Sequence, residues 1–411
     1  MAFQTMAFRA ETTQSALQNW LAKMESGVGS PPACATLSLL TVVIPSYGRQ
    51  DFILRQCAYW HRSGATVVIA DGSAQPLAVE LQQLIGEFDD ICYVHSPVSM
   101  MERLRAAAAL IRTPYAILLG DDEFLLFSGL RSAIMKLEAE SDLVACIGQS
   151  LAFYPSQDGS HCTYGAGYPH WRYAVASDNV SDRLDEAMSD YTAATCYAVL
   201  RTPVWKKSWG QLEKWSSPYV GEMQQGLTTY IWGKLATVDE VYWMRSTENR
   251  PVTNVEFNRG LSFHEWWFSP KFGSERDQFV RILKAELKEA YPEHAGNAES
   301  IVLKAIEIFI RHLHDLKERR HHSQKLMVVA LRAFAVRVLK SVLPRQWTER
   351  LKSRIFTARA IYVEGEFGML ANVLEVKDNG QFLGGNSLKD ELLAMENLIS
   401  GFYRARGKIE I

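Results

Sequence analysis

No stretch of this sequence approaches the ~20 consecutive apolar residues that a membrane-spanning helix needs. Its opening, Met1-Ala2-Phe3-Gln4-Thr5, lacks a basic start followed by an apolar block. A cytoplasmic protein, neither secreted nor integral, is therefore expected. The six cysteines (Cys34, Cys57, Cys92, Cys146, Cys162 and Cys196) include no C-x-x-C pair. That spacing argues for reduced thiols serving as small core residues. An excess of one charge sign is also missing: 44 basic against 46 acidic residues leave a net charge of −2, which names no partner. There is no internal repeat and no long low-complexity tract. What remains is an apolar fraction of 47% over 411 residues, enough for one large α/β domain with a smaller appendage.

Helical spacing from about 15 to 25 ends at Gly29-Ser30-Pro31-Pro32, which reads as a short extension. From Leu37, β-branched runs alternate with amphipathic stretches: Leu39 to Pro45, Asp51 to His61, Thr66 to Ala70, Pro76 to Phe88, Ile91 to His95, Met100 to Ile111, and Tyr115 to Leu119. Four strands alternating with three helices predict a doubly wound, mostly parallel sheet. Further on come a helical stretch near 178–190, a strand over Ala193 to Leu200, a helix after Ser217-Pro218, and a strand over Val241 to Met244. Beyond about Ser274 the chain reads as helical and basic. The expected organisation is an extension at 1–36, a catalytic domain at 37–273 with halves 37–125 and 126–273, and a mainly helical region at 274–411.

Open parallel sheets bind ligands at the carboxyl ends of their strands. Here those ends read Pro45-Ser46-Tyr47-Gly48-Arg49, Asp71-Gly72-Ser73, His95-Ser96-Pro97 and Gly120-Asp121-Asp122-Glu123. Adjacent carboxylates after a buried strand raise each other's pKa unless a cation sits between them. Mg²⁺ or Mn²⁺ is one solution, since both prefer carboxylate and phosphate oxygens. Capping of a helix starting near Ser128 is the other reading of Asp121 and Asp122.

In order and spacing, Thr41 to Arg49, Val67 to Ser73 and Thr113 to Asp122 resemble the nucleotide-binding half of GT-A fold glycosyltransferases, especially the inverting family 2. The resemblance runs from about Leu37 to Arg250. It implies a transferase that moves a sugar from a nucleotide-sugar donor, with a UDP-sugar favoured, to a glycan or lipid-linked acceptor of a surface polysaccharide or glycolipid. It further implies that Pro45, Tyr47 and Arg49 surround the base and that Asp71 accepts a hydrogen bond from it. By the same likeness Arg103 or Arg105 approaches base or phosphates, Asp121 meets the ribose, and Asp122 or Glu123 holds Mn²⁺ or Mg²⁺. Gly48 stands where the family often has Asn, and Ala70 replaces the first of two common acids.

Family 2 members place a general base at a helix start downstream of the acidic cluster. Glu222 resembles that residue, although Met223 stands where a second acid is usual. A Glu stabilised by the helix macrodipole is the alternative, and Asp190 and Asp182 are the fallback bases. Arg245 and Arg250 resemble cations that face a leaving diphosphate; a surface Arg paired with Glu248 is the other reading. The run His264-Glu265-Trp266-Trp267-Phe268 is either a sugar-stacking surface or core.

From Arg311 to Arg359 the chain carries about ten more positive than negative charges, and Leu326, Val329, Ala333, Val336, Leu339 and Leu343 recur at helical spacing. This reads as peripheral attachment to an anionic membrane surface or as a solvated helical face. No nucleic-acid-binding module accompanies the charge. Two other functions share the sheet: a sugar-phosphate nucleotidyltransferase, for which Ser46 to Arg49 is short and poor in glycine, and a catalytically inactive binder of glycans or partners.

Overall fold

The run Leu-Thr-Val-Val-Ile, whose branched side chains suit a pleated surface covered on both faces, forms the central strand β1 (Leu40–Ser46). The computed structural model describes residues 16, 18–22, 35–156, 159, 162–167, 173–249, 261–315 and 388–407. A helical turn at 18–22 (α1) precedes β1. After it the chain winds through α2 (Gln50–Trp60), β2 (Thr66–Asp71), α3 (Val79–Gly86), β3 (Ile91–His95), α4 (Met100–Ala108) and β4 (Tyr115–Leu118). These four strands are parallel, in the order β3-β2-β1-β4. Each element falls within a few residues of its predicted place, because apolar periodicity and turn residues agree throughout this half.

Beyond β4 the sheet becomes mixed. A short strand β5 (Phe124–Leu125) leads into α5 (Phe127–Ala139), then β6 (Leu143–Pro155) and β7 (Cys162–Ala166). After α6 (Val180–Ser189) come β8 (Val199–Arg201), α7 (Thr202–Ser208), α8 (Pro218–Trp232) and β9 (Lys234–Ser246). The nine-stranded sheet continues from β4 as β8-β6-β9-β5, with β7 on β6. The β4–β8, β8–β6 and β9–β5 pairs are antiparallel, and β6–β9 is parallel.

Two expected strands differ from those observed. The stretch Ala193 to Leu200 begins as a 3-10 helix, Ala193–Tyr197, because the Thr192 side chain accepts from the Ala194 amide and turns the backbone. The late strand runs over Lys234–Ser246, longer than Val241 to Met244, since polar Thr237, Asp239 and Glu240 hid its first half. Helix α5 lies directly on β9: a Cβ on Gly129 would stand 2.3 Å from the Tyr242 Cβ, so glycine is what permits the approach.

Helices α9 (Phe263–Phe268), α10 (Gly273–Ala290) and α11 (298–315) follow. The apolar-basic helix expected over Lys325 to Leu343, like most of the stretch from 311 to 359, lies outside the described residues. So does Arg250. A last helix, α12 (Leu388–Arg406), packs on α2, where the Phe402 ring meets Phe52 at 5.4 Å and Trp20 at 5.9 Å. No described helix is long and apolar enough to cross a membrane.

Candidate functional site

Strands β1 and β4 are neighbours, but the chain leaves β1 toward β2 and β3 and leaves β4 toward β8. At such a switch point the loops after the two strands separate and open a crevice at their carboxyl ends. Ser46, the last residue of β1, bridges it: its Oγ donates to Asp121 Oδ2 at 2.7 Å. From the loop before α2, Arg49 Nη1 donates to Asp121 Oδ1 at 3.0 Å and lies 3.5 Å from Asp122 Oδ2. The structure therefore brings Arg49, Asp121 and Asp122 together. Burial, and then the charge of Asp122, push the Asp121 carboxyl above its ordinary range, while Arg49 and Ser46 pull it back.

The loop reaches Asp121 because Gly48 turns it with φ 66°. Asn tolerates this left-handed conformation better than most residues, so one backbone requirement accounts for either residue here. Pro45 is the penultimate residue of β1, and Tyr47 presents an exposed ring beside it. The capping reading of the acidic pair does not hold. The N-cap of α5 is Leu126, β5 intervenes, and the Ser128 amide donates to Glu391 of α12 at 3.0 Å.

Asp71 stands in register with Ser46 across β1 and β2. Its Oδ1 accepts from the amide and the hydroxyl of Ser73 at 2.9 and 2.5 Å, and its Oδ2 from Gln50 Nε2 at 3.0 Å and the Tyr93 hydroxyl at 2.8 Å. Both oxygens are fully engaged and the residue is buried, so Asp71 organises the loops after β1 and β2 in this conformation. Arg103 likewise departs from expectation. Its guanidinium is buried under β1 and β2, donating from Nη1 to the carbonyls of Ser46 at 2.5 Å and Ala70 at 2.7 Å, and from Nε to Val98 at 3.2 Å. A Cβ on Gly72 would meet that guanidinium at 2.4 Å. Arg103 thus ties the two strand ends together from below rather than facing a ligand. Arg105 is half-exposed, near Glu213 at 3.9 Å.

Glu123 turns inward. Trp243 Nε1 donates to its Oε2 at 3.1 Å, and burial followed by the Asp122 charge raises its pKa to about 8. Arg245, exposed at the end of β9, acts in the opposite direction on the same carboxyl. Glu248 pairs with Arg55 at 2.8 Å, and its side chain is only 4% exposed, so it is a buried rather than a surface partner.

Several residues at the site went unread in the sequence. Asn249 Nδ2 donates to Asp122 Oδ2 at 3.0 Å. Arg55 donates to the Asp122 carbonyl at 2.8 Å, and Gln56 Nε2 to the carbonyls of Asp121 and Glu123 at 3.0 and 2.7 Å. The i, i+1 placement of polar Arg55 and Gln56 inside an otherwise apolar helix was the available signal, since buried polar side chains need partners.

Glu222 lies in the second turn of α8, beyond the first-turn position that a macrodipole explanation requires. Its Oε1 accepts from the Tyr191 hydroxyl at 3.1 Å. It has no described hydrogen bond or ion pair with Asp121 or Asp122. A link exists at one remove: Cys196 lies beside Glu222, and the next residue, Tyr197, stacks on Trp243 at 4.0 Å, the indole that holds Glu123. The fallback bases Asp182 and Asp190 are exposed. Trp266 is buried against Trp215 and Phe279 and donates to Glu275 at 2.8 Å, so it belongs to the core.

Burial raises the Glu222 carboxyl above 4.5, and only the Tyr191 hydrogen bond opposes it. Above an unfolded pKa near 4.5, the unfolded chain releases a proton that the folded protein still holds. Stability therefore falls as pH rises from there toward the folded pKa. Glu222→Gln removes this term. Urea midpoints are expected to favour the variant progressively over wild type as pH rises above the unfolded value; parallel curves would show that the carboxyl titrates normally.

No family model and no curated protein sequence matches this chain. Among solved structures the chain is similar to S. aureus TarS 1-349, with TM-score 0.38 and 11% identity over 68% of this chain and 91% of that one. TarS 1-349 in complex with UDP-GlcNAc gives the same values, and its complex with UDP gives TM-score 0.36 at 11% identity. A further S. aureus TarS structure is covered over about half its length, 53%, with TM-score 0.37 and 12% identity.

Proposed function

We propose that the chain is a GT-A fold glycosyltransferase that binds a nucleotide sugar, a UDP-sugar in preference, at the β1/β4 switch point. The observation that carries this reading is the Ser46–Asp121–Arg49–Asp122 constellation at the strand ends. A nucleoside diphosphate offers a ribose diol for a carboxylate and phosphates for a guanidinium, and both groups stand within one short loop pair. Asp121 takes the ribose, Tyr47 offers a face to the base, and Arg49 and Arg245 supply positive charge toward the diphosphate.

Asp122 fits a divalent cation that arrives with the donor. Its Oδ2 accepts from Asn249 and approaches Arg49, whereas Oδ1 has no hydrogen bond among the described residues. No three His, Cys, Asp or Glu side chains gather at metal-binding distance among the described residues, so such a cation would need phosphate oxygens as well. Glu123 suits this role less well, because its side chain is buried and its Oε2 already accepts from Trp243 Nε1 at 3.1 Å. When bound, Mn²⁺ or Mg²⁺ supplies charge neutralisation for the departing diphosphate.

The remaining work falls to the chain's own groups. Glu222 takes the proton of the acceptor hydroxyl as that oxygen attacks the anomeric carbon and the bond to the diphosphate breaks, giving inversion; burial raises its carboxyl above the ordinary range, which makes its carboxylate a stronger base. A glycan or lipid-linked acceptor would enter from the 126–273 half. A thermal-shift panel of UDP, GDP, CMP and TDP, with and without Mn²⁺, tests the reading. Stabilisation by UDP with Mn²⁺ is expected, about 2.7 kcal/mol at a hundred times the dissociation constant. No response to any nucleotide would remove the proposal, and release of pyrophosphate from a nucleoside triphosphate plus sugar phosphate would replace it with nucleotidyl transfer.

A further inference from the structure

Helix α12 begins more than seventy positions after residue 315, the preceding described residue, and it reaches the acidic loop through polar contacts. The Tyr403 hydroxyl donates to Glu248 Oε1 at 2.5 Å. Glu248 receives both terminal nitrogens of Arg55, Nη1 at 2.8 Å and Nη2 at 2.9 Å. Arg55 Nη2 also donates to the main-chain carbonyl of Asp122 at 2.8 Å. The guanidinium is fully buried, with Phe52, Phe124 and Phe402 rings at 4.5, 4.9 and 5.1 Å, so α12 contributes both one wall of its cage and the hydroxyl beyond its partner.

The surroundings hold Tyr403 in place. A Cβ on Gly159 would stand 2.3 Å from the Tyr403 Cβ, and Gly159 has φ 64°, so the β6–β7 turn closes on the tyrosine only with glycine there. On one side Tyr164 donates to Glu396 at 2.5 Å, and on another Arg406 pairs with Asp51 at 2.9 Å. Burial alone would raise the Glu248 carboxyl, but Arg55 together with hydrogen bonds from Arg55, Tyr403 and Ser246 holds it below its usual range. A bidentate, ionised pair in a buried aromatic cage has one favoured geometry, and a group that fixes one end fixes the other.

We propose that α12 is a positioning element for the acidic loop, with Tyr403 acting through Glu248 and Arg55 to set the main chain at Asp122. Tyr403 is a positioning residue and touches no reacting atom. The consequence for activity rests on the reading of this edge as the donor site; the positioning itself does not.

Amide hydrogen exchange of the full chain separates the two. Tyr403→Phe keeps the ring against Phe402 and removes only the hydroxyl. Exchange of the peptide spanning 119–126, which contains the Glu123 amide bonded to Gly120, is expected to run about tenfold faster in the variant, while that over 66–71 is unchanged. In a Glu248→Gln background, Tyr403→Phe should add little. Arg404→Ala, on the exposed face of α12, should leave 119–126 as in wild type. No change in 119–126, an equal rise in both peptides, or full additivity with Glu248→Gln would each overturn the proposal. UDP affinity, measured with Mn²⁺, should weaken several-fold in Tyr403→Phe. If wild type binds no nucleoside diphosphate while the exchange result stands, the donor reading fails and the positioning role survives.

Discussion

Asp122→Ala is expected to lower sugar transfer by about 10²–10³-fold or more while the protein stays folded, because on the proposed reading it removes the carboxylate that would hold the cation against the donor diphosphate and little else. The carboxyl stands at the mouth of the crevice with 12% of its side chain exposed. Its contacts are Asn249 at 3.0 Å and Arg49 at 3.5 Å. With Asp122 gone, Arg49 retains the closer Asp121 oxygen at 3.0 Å, and the repulsion that raises Asp121 is relieved. These effects oppose one another, so the change in unfolding free energy should stay within about 1 kcal/mol. Initial rates of donor-dependent sugar transfer and a thermal melt of the same preparation check both halves. Wild-type turnover in the variant would remove Asp122 from the reaction.

Arg55→Ala is expected to be the most destabilising single change near the site, lowering unfolding free energy by about 3–5 kcal/mol. The side chain is fully buried and the Glu248 side chain is only 4% exposed. Removing one partner leaves the other charge desolvated and alone, and the Asp122 carbonyl loses a donor. The aromatic cage loses its filling as well. Combining Arg55→Met with Glu248→Gln should recover part of the loss, since the uncompensated charge is then gone. Urea unfolding of the two variants supplies the comparison. A cost under about 1 kcal/mol for Arg55→Ala would place the pair among weakly stabilising surface bridges.

The two expectations separate function from framework within a few residues of chain, and they bear on how each was read. Asp121 and Asp122 were conspicuous because adjacent acids after an apolar strand violate ordinary patterning. Arg55 sits among apolar residues in α2, and nothing local says what it meets; its partner lies 193 residues away. The family resemblance implies that Arg103 or Arg105 approaches base or phosphates, yet an arginine on α4 has reach enough to turn under the sheet, as Arg103 does, and Gly72 leaves the space. Asp71 was placed correctly at the strand end, while the four donors that occupy it came from three separate segments.

The sequence by itself determined the parallel half of the sheet, from β1 to β4, because strand and helix periodicities are local and every turn there carries its own Gly, Pro or polar signal. It also determined which residues stand at the strand ends, since that follows once a strand is located. Only the tertiary structure decided which of those residues face the crevice. It alone showed that β4 meets an antiparallel β8, that α5 is capped by Glu391 rather than by the acidic pair, and that α12 returns to α2. Such outcomes depend on contacts between residues far apart in sequence, and periodicity carries no information about a partner that distant.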